Sequence, residues 1–344
     1  MRPRAWTTLF VVLATTALAA TLLAATSGYH ADRGILIPGD GSWDYIVADT
    51  TSHRLFVTHG TRVQVVDAVT DSLVGEIPNT PGVHGVALAY DLGRGFTSNG
   101  RDSSVTVFDM KTLAVTGRVH VGARFPDAIL YDQATGRVFT FNGGSANTTA
   151  IDARTLKVVG AIPLGGGPEA GVADGTGRIW VNNEDRAEVV QFDARKLKVL
   201  HHWSLAPGEA PSGLAFDLAH HRLFSGCDNK KLIVLDSETG RRVADLPIGE
   251  GVDGVAFDPA QQLVFSSNGD GTLTVIHEDD PDHYSVVENV PTQKSGRTLA
   301  LDPRDGTVYI PAAELGPPPA PTPERPHPRP SIVPGSFRVV VVHR

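Results

Sequence analysis

One phrase recurs seven times along this chain. In its clearest copy it reads Gly251-Val-Asp-Gly-Val-Ala-Phe-Asp258, then Leu263-Val-Phe-Ser-Ser-Asn-Gly269, then Thr272-Leu-Thr-Val-Ile276. Aligned on the acidic residue that closes the first apolar run, the copies fall at Asp49, Asp91, Asp132, Asp174, Asp217, Asp258 and Asp302, in steps of 41 to 44 residues. A fixed period of this size marks one supersecondary unit stacked on copies of itself, because a single unit cannot bury its apolar face alone. Solenoids and propellers are the architectures built this way.

Each copy holds four short β-type runs separated by turn residues. The first is residues 45–48 in unit one and 254–257 in unit six. The second is apolar and aromatic, as in Leu55-Phe-Val57, Ile179-Trp-Val181 and Leu263-Val-Phe265. The third alternates and ends on a turn carboxylate, as in residues 63–66 with Asp67 and 105–108 with Asp109. The fourth is typified by residues 74–77 and 243–246. No stretch carries a helical period, so the chain reads as all-β. Four strands in a unit of about 40–45 residues describe a propeller blade. The expected fold is a seven-bladed β-propeller of four-stranded blades.

Unit seven has strand signals at 298–301, 308–310 and 337–342, and no fourth. The segment Gly34-Ile-Leu-Ile37 is an orphan strand of the right kind, so the N-terminal strand is expected to pair beside 337–342 and close the last blade. Closure removes the exposed edge that an open array would leave. Cys227 is the only cysteine, so no internal disulfide fastens the ring, and strand pairing is its expected clasp.

Arg2 and Arg4 precede an apolar run over 6–25, followed by small residues, with Ala17-Leu-Ala19 and Leu23-Ala-Ala25 as cleavage sites. Residues 1–26 therefore read as a secretory signal peptide, which sends the protein to the periplasm or outside the cell. An uncleaved anchor is the alternative, since about 20 apolar residues just span a bilayer. Behind it the propeller is expected over 33–344, as a monomer, with no membrane insertion after cleavage. A Pro-rich loop over 312–335 interrupts the last blade. It is expected to be a solvated insertion, with a polyproline docking tether as the other reading. The net charge of −8 and the scattered Lys and Arg argue against a nucleic-acid partner.

With Leu55-Phe-Val-Thr-His59, Gly95-Phe-Thr-Ser-Asn99, Val264-Phe-Ser-Ser-Asn268 and Val105-Thr-Val-Phe-Asp109, the units resemble YVTN-type repeats. The chain from 33 to 344 is similar to the YncE-like family of exported seven-bladed propellers. Trp43-Asp44 stands at a first-strand start and is not the WD40 signature. The resemblance implies a periplasmic or surface protein acting as a binding or scaffold module. Similar propeller sheets also carry lactonases, antibiotic-inactivating lyases and dehydrogenase heavy chains, so fold leaves the chemistry open.

In a blade the first strand begins on the face where the second ends, so residues at both places share one rim of the central channel. Before the first strands stand Asp44, His84, Asp127, Glu169, Ser212, Asp253 and Arg297; after the second stand His59, Asn99, Asn142, Asn182 with Asn183, Asp228 and Asn268. This rim is the expected site for a small molecule or protein partner. Its four inner carboxylates face one Arg, and such crowding raises carboxyl pKa values or recruits a cation. The candidate cofactor is a divalent cation. Oxygen donors favour Ca²⁺ or Mg²⁺, whereas His59 and His84 with Asp127 and Glu169 would suit Zn²⁺. The bland reading is that the acids are solvated and cap backbone N–H groups.

Two functions remain open. One is a ligand- or protein-binding module acting through the channel face. The other is a divalent-cation-dependent hydrolase, lactonase or lyase with Glu169 or His84 as base. No G-x-S-x-G or H-E-x-x-H motif supports the second. The Asp49-to-Asp302 series recurs in every unit and reads as architecture. His53, His220 and His221 fall in turns on the opposite face, where metal binding is not expected.

Overall fold

The structure, a computed structural model, describes residues 27–322, 328 and 330–344. Residues 1–26, read as the signal peptide, and part of the Pro-rich insertion lie outside the described residues.

Each repeat forms one four-stranded antiparallel sheet, and there are seven sheets. Blade 1 runs Trp43–Asp49, Arg54–His59, Arg62–Asp67 and Ser72–Ile77, in sequence order from the axis outward. Blades 2 to 6 repeat that order. The innermost strands neighbour one another in sequence, and that of blade 7 (Ala300–Asp302) returns to that of blade 1. The ring is closed and all-β, and the fourth strand of blade 7 comes from the N-terminus. His30–Leu36 lies antiparallel to Arg338–His343, with Gly34 opposite Val340 and Ile35 opposite Val339. Ile37 adds a backbone hydrogen bond to the Phe337 carbonyl at 2.9 Å.

The clasp starts earlier than the sequence reading places it. Ser27 donates its backbone N–H and its hydroxyl to the Glu288 carboxylate at 2.8 and 2.6 Å, and Tyr29 donates its hydroxyl to the Gly306 carbonyl at 3.1 Å.

The apolar core sits between blades. Seven clusters of buried side chains fill the seven blade-to-blade interfaces. One slot of the second strand holds an aromatic ring in every blade: Phe56, Phe96, Phe139, Trp180, Phe224, Phe265 and Tyr309, all buried. Each such ring removes about 150–250 Å² from water, which makes this slot the main apolar anchor of its blade.

Two details differ from the sequence reading. In blades 1 to 6 the first strands take in the proposed rim residues, as in Trp43–Asp49 and Val252–Asp258, whereas the first strand of blade 7 is only Ala300–Asp302, shorter than the expected 298–301, and leaves Arg297 ahead of it. The acidic series is also not uniform. Asp49, Asp132, Asp217, Asp258 and Asp302 end their strands, and Asp174 follows its strand by one residue. Asp91 instead sits in a short 3-10 turn, Tyr90–Leu92, where its carboxylate accepts from the Tyr131 hydroxyl at 2.8 Å. Among the described residues no helix is long and apolar enough to cross a membrane.

Candidate functional site at the channel mouth

The innermost strands carry a β-bulge at the same place in blade after blade. Pairing steps from Trp43–His59 to Ile46–Val57, and equivalent breaks occur between Val83 and Val86, Pro126 and Ile129, Pro168 and Gly171, and Pro211 and Leu214. A bulge leaves residues out of the ladder and re-aims their side chains. The residues released in blades 1 to 4 include Asp44, His84, Asp127 and Glu169. The repeat thus supplies a ring of redirected positions, and the sequence fills them mostly with acids.

These side chains converge. His84 Nδ1 lies 2.6 Å from Asp44 Oδ2 and 3.4 Å from Asp127 Oδ1, so one imidazole bridges the acids of the blades on either side. Arg297 Nη1 lies 3.2 Å from Asp253 Oδ2. One ligand atom from each of Asp44, His84 and Asp127 falls within 4.8 Å of the other two. Phe125 stands edge-on to the His84 ring at 4.8 Å between centroids.

Burial first, and charge crowding second, govern the protonation of the cluster. Burial, and then repulsion from Asp127 and Asp253, pushes the Glu169 carboxyl up to about 9. Burial raises Asp127 to about 7, with His84 opposing the shift and Asp44 adding to it. Burial raises Asp253 to about 6 against the pull of Arg297. Burial works against a charged His84, but the Asp44 hydrogen bond and the Asp127 charge outweigh it, so the imidazole is pushed up. At neutral pH the Glu169 carboxyl is therefore protonated, and the shift on His84 favours its protonated ring. Both shifts run against the free base that the hydrolase reading called for.

The structure does not gather the second-strand residues into this cluster. Asn99, Asn142 and Asn268 lie on the same face but are fully buried inside their blades. Asn142 accepts from Thr140 at 2.9 Å and donates to Asn147 and Thr149 at 2.8 and 3.0 Å. Asn99 and Asn268 repeat the pattern with Thr97, Ser104 and Thr106, and with Ser266, Thr272 and Thr274. Asn183 donates to the Leu164 carbonyl, whereas Asn182 reaches into blade 5 and donates to the Ser212 and Gly213 carbonyls. His59 is equally buried, with Nδ1 2.6 Å from Gln64 Oε1 and its ring against Phe337. Ser212 turns its hydroxyl to the Val252 carbonyl at 2.8 Å, and Asp228 is exposed. The physical reason is the pleat: the residue that ends the second strand faces its own sheet's neighbours, and only the bulged residues of the first strand escape that plane.

Sequence reasoning missed Tyr45, whose phenol is driven well above its usual range by burial and by Asp253, Asp127 and Glu169. It sits next to Asp44 in the bulge, and only the bulge explains why two successive residues report on the same cluster. A cleft of about 400 Å³ opens beside Arg297, lined by Ser42, Trp43, Ser295, Leu315, Pro330 and Ile332. Part of the Pro-rich insertion therefore flanks the mouth.

No protein-family model matches the chain, and no curated protein does. Among solved structures, hydrazine synthase from Kuenenia stuttgartiensis is similar, with a TM-score of 0.69 and 17% identity over 80% of this chain and 94% of that one. At that identity the likeness is one of fold, and it agrees with an all-β ring of seven four-stranded blades.

Proposed function

We propose that this protein is an exported, YncE-like binding module whose channel mouth takes a cationic ligand, with a divalent metal ion as the simplest occupant. One observation carries the reading. Asp44, Asp127, Glu169 and Asp253 crowd against a single Arg and a single His, and three of the four hold protons far above the usual carboxylate range. A cation can replace those protons, and such exchange is how metal sites couple to pH. Asp44, His84 and Asp127 supply the nearest donors. Glu169 and Asp253 add charge around them.

Calorimetry of the purified full chain with Zn²⁺, Mn²⁺ and Ca²⁺, in buffers of differing ionisation enthalpy, tests this. The expected result is binding at pH 7 with proton release, weaker at pH 5 and at least about tenfold weaker in Asp127→Asn. Binding that is insensitive to both Asp127→Asn and Glu169→Ala would sink the proposal. Export rests on Arg2, Arg4 and the apolar run over 6–25, and N-terminal sequencing of the secreted or periplasmic protein tests it separately.

Catalysis with a bound cation is the second reading, favoured by one feature: a Glu169 carboxylic acid protonated at neutral pH beside the donors. Metal-dependent turnover of lactones or esters, lost in Glu169→Gln while the cation still binds, would establish it.

A further inference from the structure

On the face opposite the acidic mouth, Asp217 and His220 of blade 5 meet Glu278 of blade 6. One ligand atom from each lies within 4.8 Å of the other two. Glu278 is 0% and Asp217 2% exposed, while the His220 side chain reaches the surface. His220 Nδ1 stands 2.7 Å from Asp217 Oδ2 and 3.6 Å from Glu278 Oε1. Yet His220 Nδ1, Asp217 Oδ2 and Glu278 Oε2 all lack a partner in hydrogen-bond geometry. Among the described residues, His220 is the only basic side chain within ion-pair distance of either carboxylate. Tyr284 donates its hydroxyl to Glu278 Oε1 at 3.2 Å and Ala219 its backbone N–H to Asp217 Oδ1 at 3.0 Å. The second oxygen of each buried carboxylate and the imidazole Nδ1 still have no hydrogen-bond partner, an arrangement that is expensive unless something binds between them.

The other blades show what this place normally holds. The backbone N–H of Glu278 donates to the Gln262 carbonyl, and the same bond is made in other blades by Ala68, Met110, Ala153, Ala194 and Ser237. Blade 6 alone of these puts a carboxylate there. The blade 5 turn departs from pattern as well. In blades 1, 3 and 6, the residue three after the turn Asp donates to the second carboxylate oxygen: Ser52 to Asp49, Thr135 to Asp132 and Gln261 to Asp258. In blade 5 that residue is His220, and the hydrogen bond is not formed. Both departures meet at one interface.

We propose that Asp217, His220 and Glu278 form a Zn²⁺ site that staples blade 5 to blade 6. One imidazole and two carboxylates suit zinc better than calcium or magnesium, which prefer all-oxygen sets. The half-exposed His220 gives the ion a route in and leaves a fourth position for water. A staple of this kind stabilises the folded ring by mass action, in a chain whose single Cys227 excludes an internal disulfide.

The test compares the full chain with Glu278→Ala, His220→Ala and the mouth variant Asp127→Asn. Glu278→Ala installs the residue that blades 1, 3 and 4 already use, so the variant is expected to fold. After stripping and reloading with Zn²⁺, metal analysis should find one equivalent fewer in Glu278→Ala and in His220→Ala than in the parent. With the mouth site removed by Asp127→Asn, Co²⁺ in place of zinc should give a visible d–d band that Asp127→Asn carrying Glu278→Ala or His220→Ala lacks. A chelator should lower the melting temperature of the parent more than that of Glu278→Ala. Equal zinc content in parent and Glu278→Ala would overturn the proposal. So would an Asp127→Asn protein without the band in which Glu278→Gln simply raises stability, which would mark the two acids as a proton-sharing pair. Loss of the mouth site alone, seen in Asp127→Asn, leaves this result readable by itself.

Discussion

The buried hydroxyl of Thr298, in the last blade, donates to the backbone carbonyl of Asp44, in the first, at 2.8 Å. The bond crosses the seam where the ring closes, and it holds the peptide whose side chain faces His84. Closure of the fold and placement of the acid cluster are therefore one structural event. The hydroxyls of Ser212 and Ser267 make the same kind of link between later blades, to the Val252 and Gly296 carbonyls.

Thr298→Val should remove the donor and leave the Asp44 carbonyl unsatisfied. A loss of about 1–3 kcal/mol in chemical denaturation is expected, with Thr298→Ser close to the parent.

The N-terminal strand should be essential for stability. Ile35 is buried between blades 7 and 1. Ile35→Ala is expected to lower stability by about 2–5 kcal/mol, read from the shift of the denaturation midpoint, because it leaves a cavity at the seam.

Stability should fall toward alkaline pH. Burial raises the Asp253, Asp127 and Glu169 carboxyls in the fold to about 6, about 7 and about 9. Their unfolded values are about 4, so the folded state binds these protons more tightly. That contribution is complete in acid and is lost as pH rises through the folded values. Hydrogen-bonded turn carboxylates such as Asp49, Asp236 and Asp302 are shifted down and act with the opposite sign, losing their contribution as pH falls. A melting-temperature profile should therefore peak at mildly acidic pH, and Glu169→Gln should flatten its alkaline limb by on the order of 1 kcal/mol or more.

His84 should titrate above an ordinary histidine. The Asp44 hydrogen bond and the Asp127 charge hold the proton on its ring against the effect of burial. Imidazole resonances followed by NMR should show a raised midpoint that Asp44→Asn moves down; an unchanged midpoint in that variant would break the link.

Asn142→Ala and Asn268→Ala should separate architecture from site. Each side chain is buried with both donor and acceptor engaged. The variants should lose about 1–3 kcal/mol of stability while cation affinity at the mouth stays within about twofold of the parent.

The repeat made the fold legible. Blade count, strand number and the identity of the closing strand all follow from a period near forty, the aromatic second strand and the orphan Gly34-Ile-Leu-Ile37. These are local patterns, and period and turn chemistry report local structure well. The rim was legible only by half. Counting from strand ends put Asp44, His84, Asp127, Glu169, Asp253 and Arg297 on the same face as Asn99, Asn142 and Asn268. It could not separate side chains that face the channel from those that face their own sheet, because the bulge that separates them leaves no mark in a single sequence. The Asp217–His220–Glu278 group was less visible still. Asp217 matched the turn series, His220 looked like a surface turn residue, and Glu278 stood one place past the repeat. Their meeting depends on how blade 5 abuts blade 6, a distance set by packing between sheets and not by any residue's neighbours along the chain.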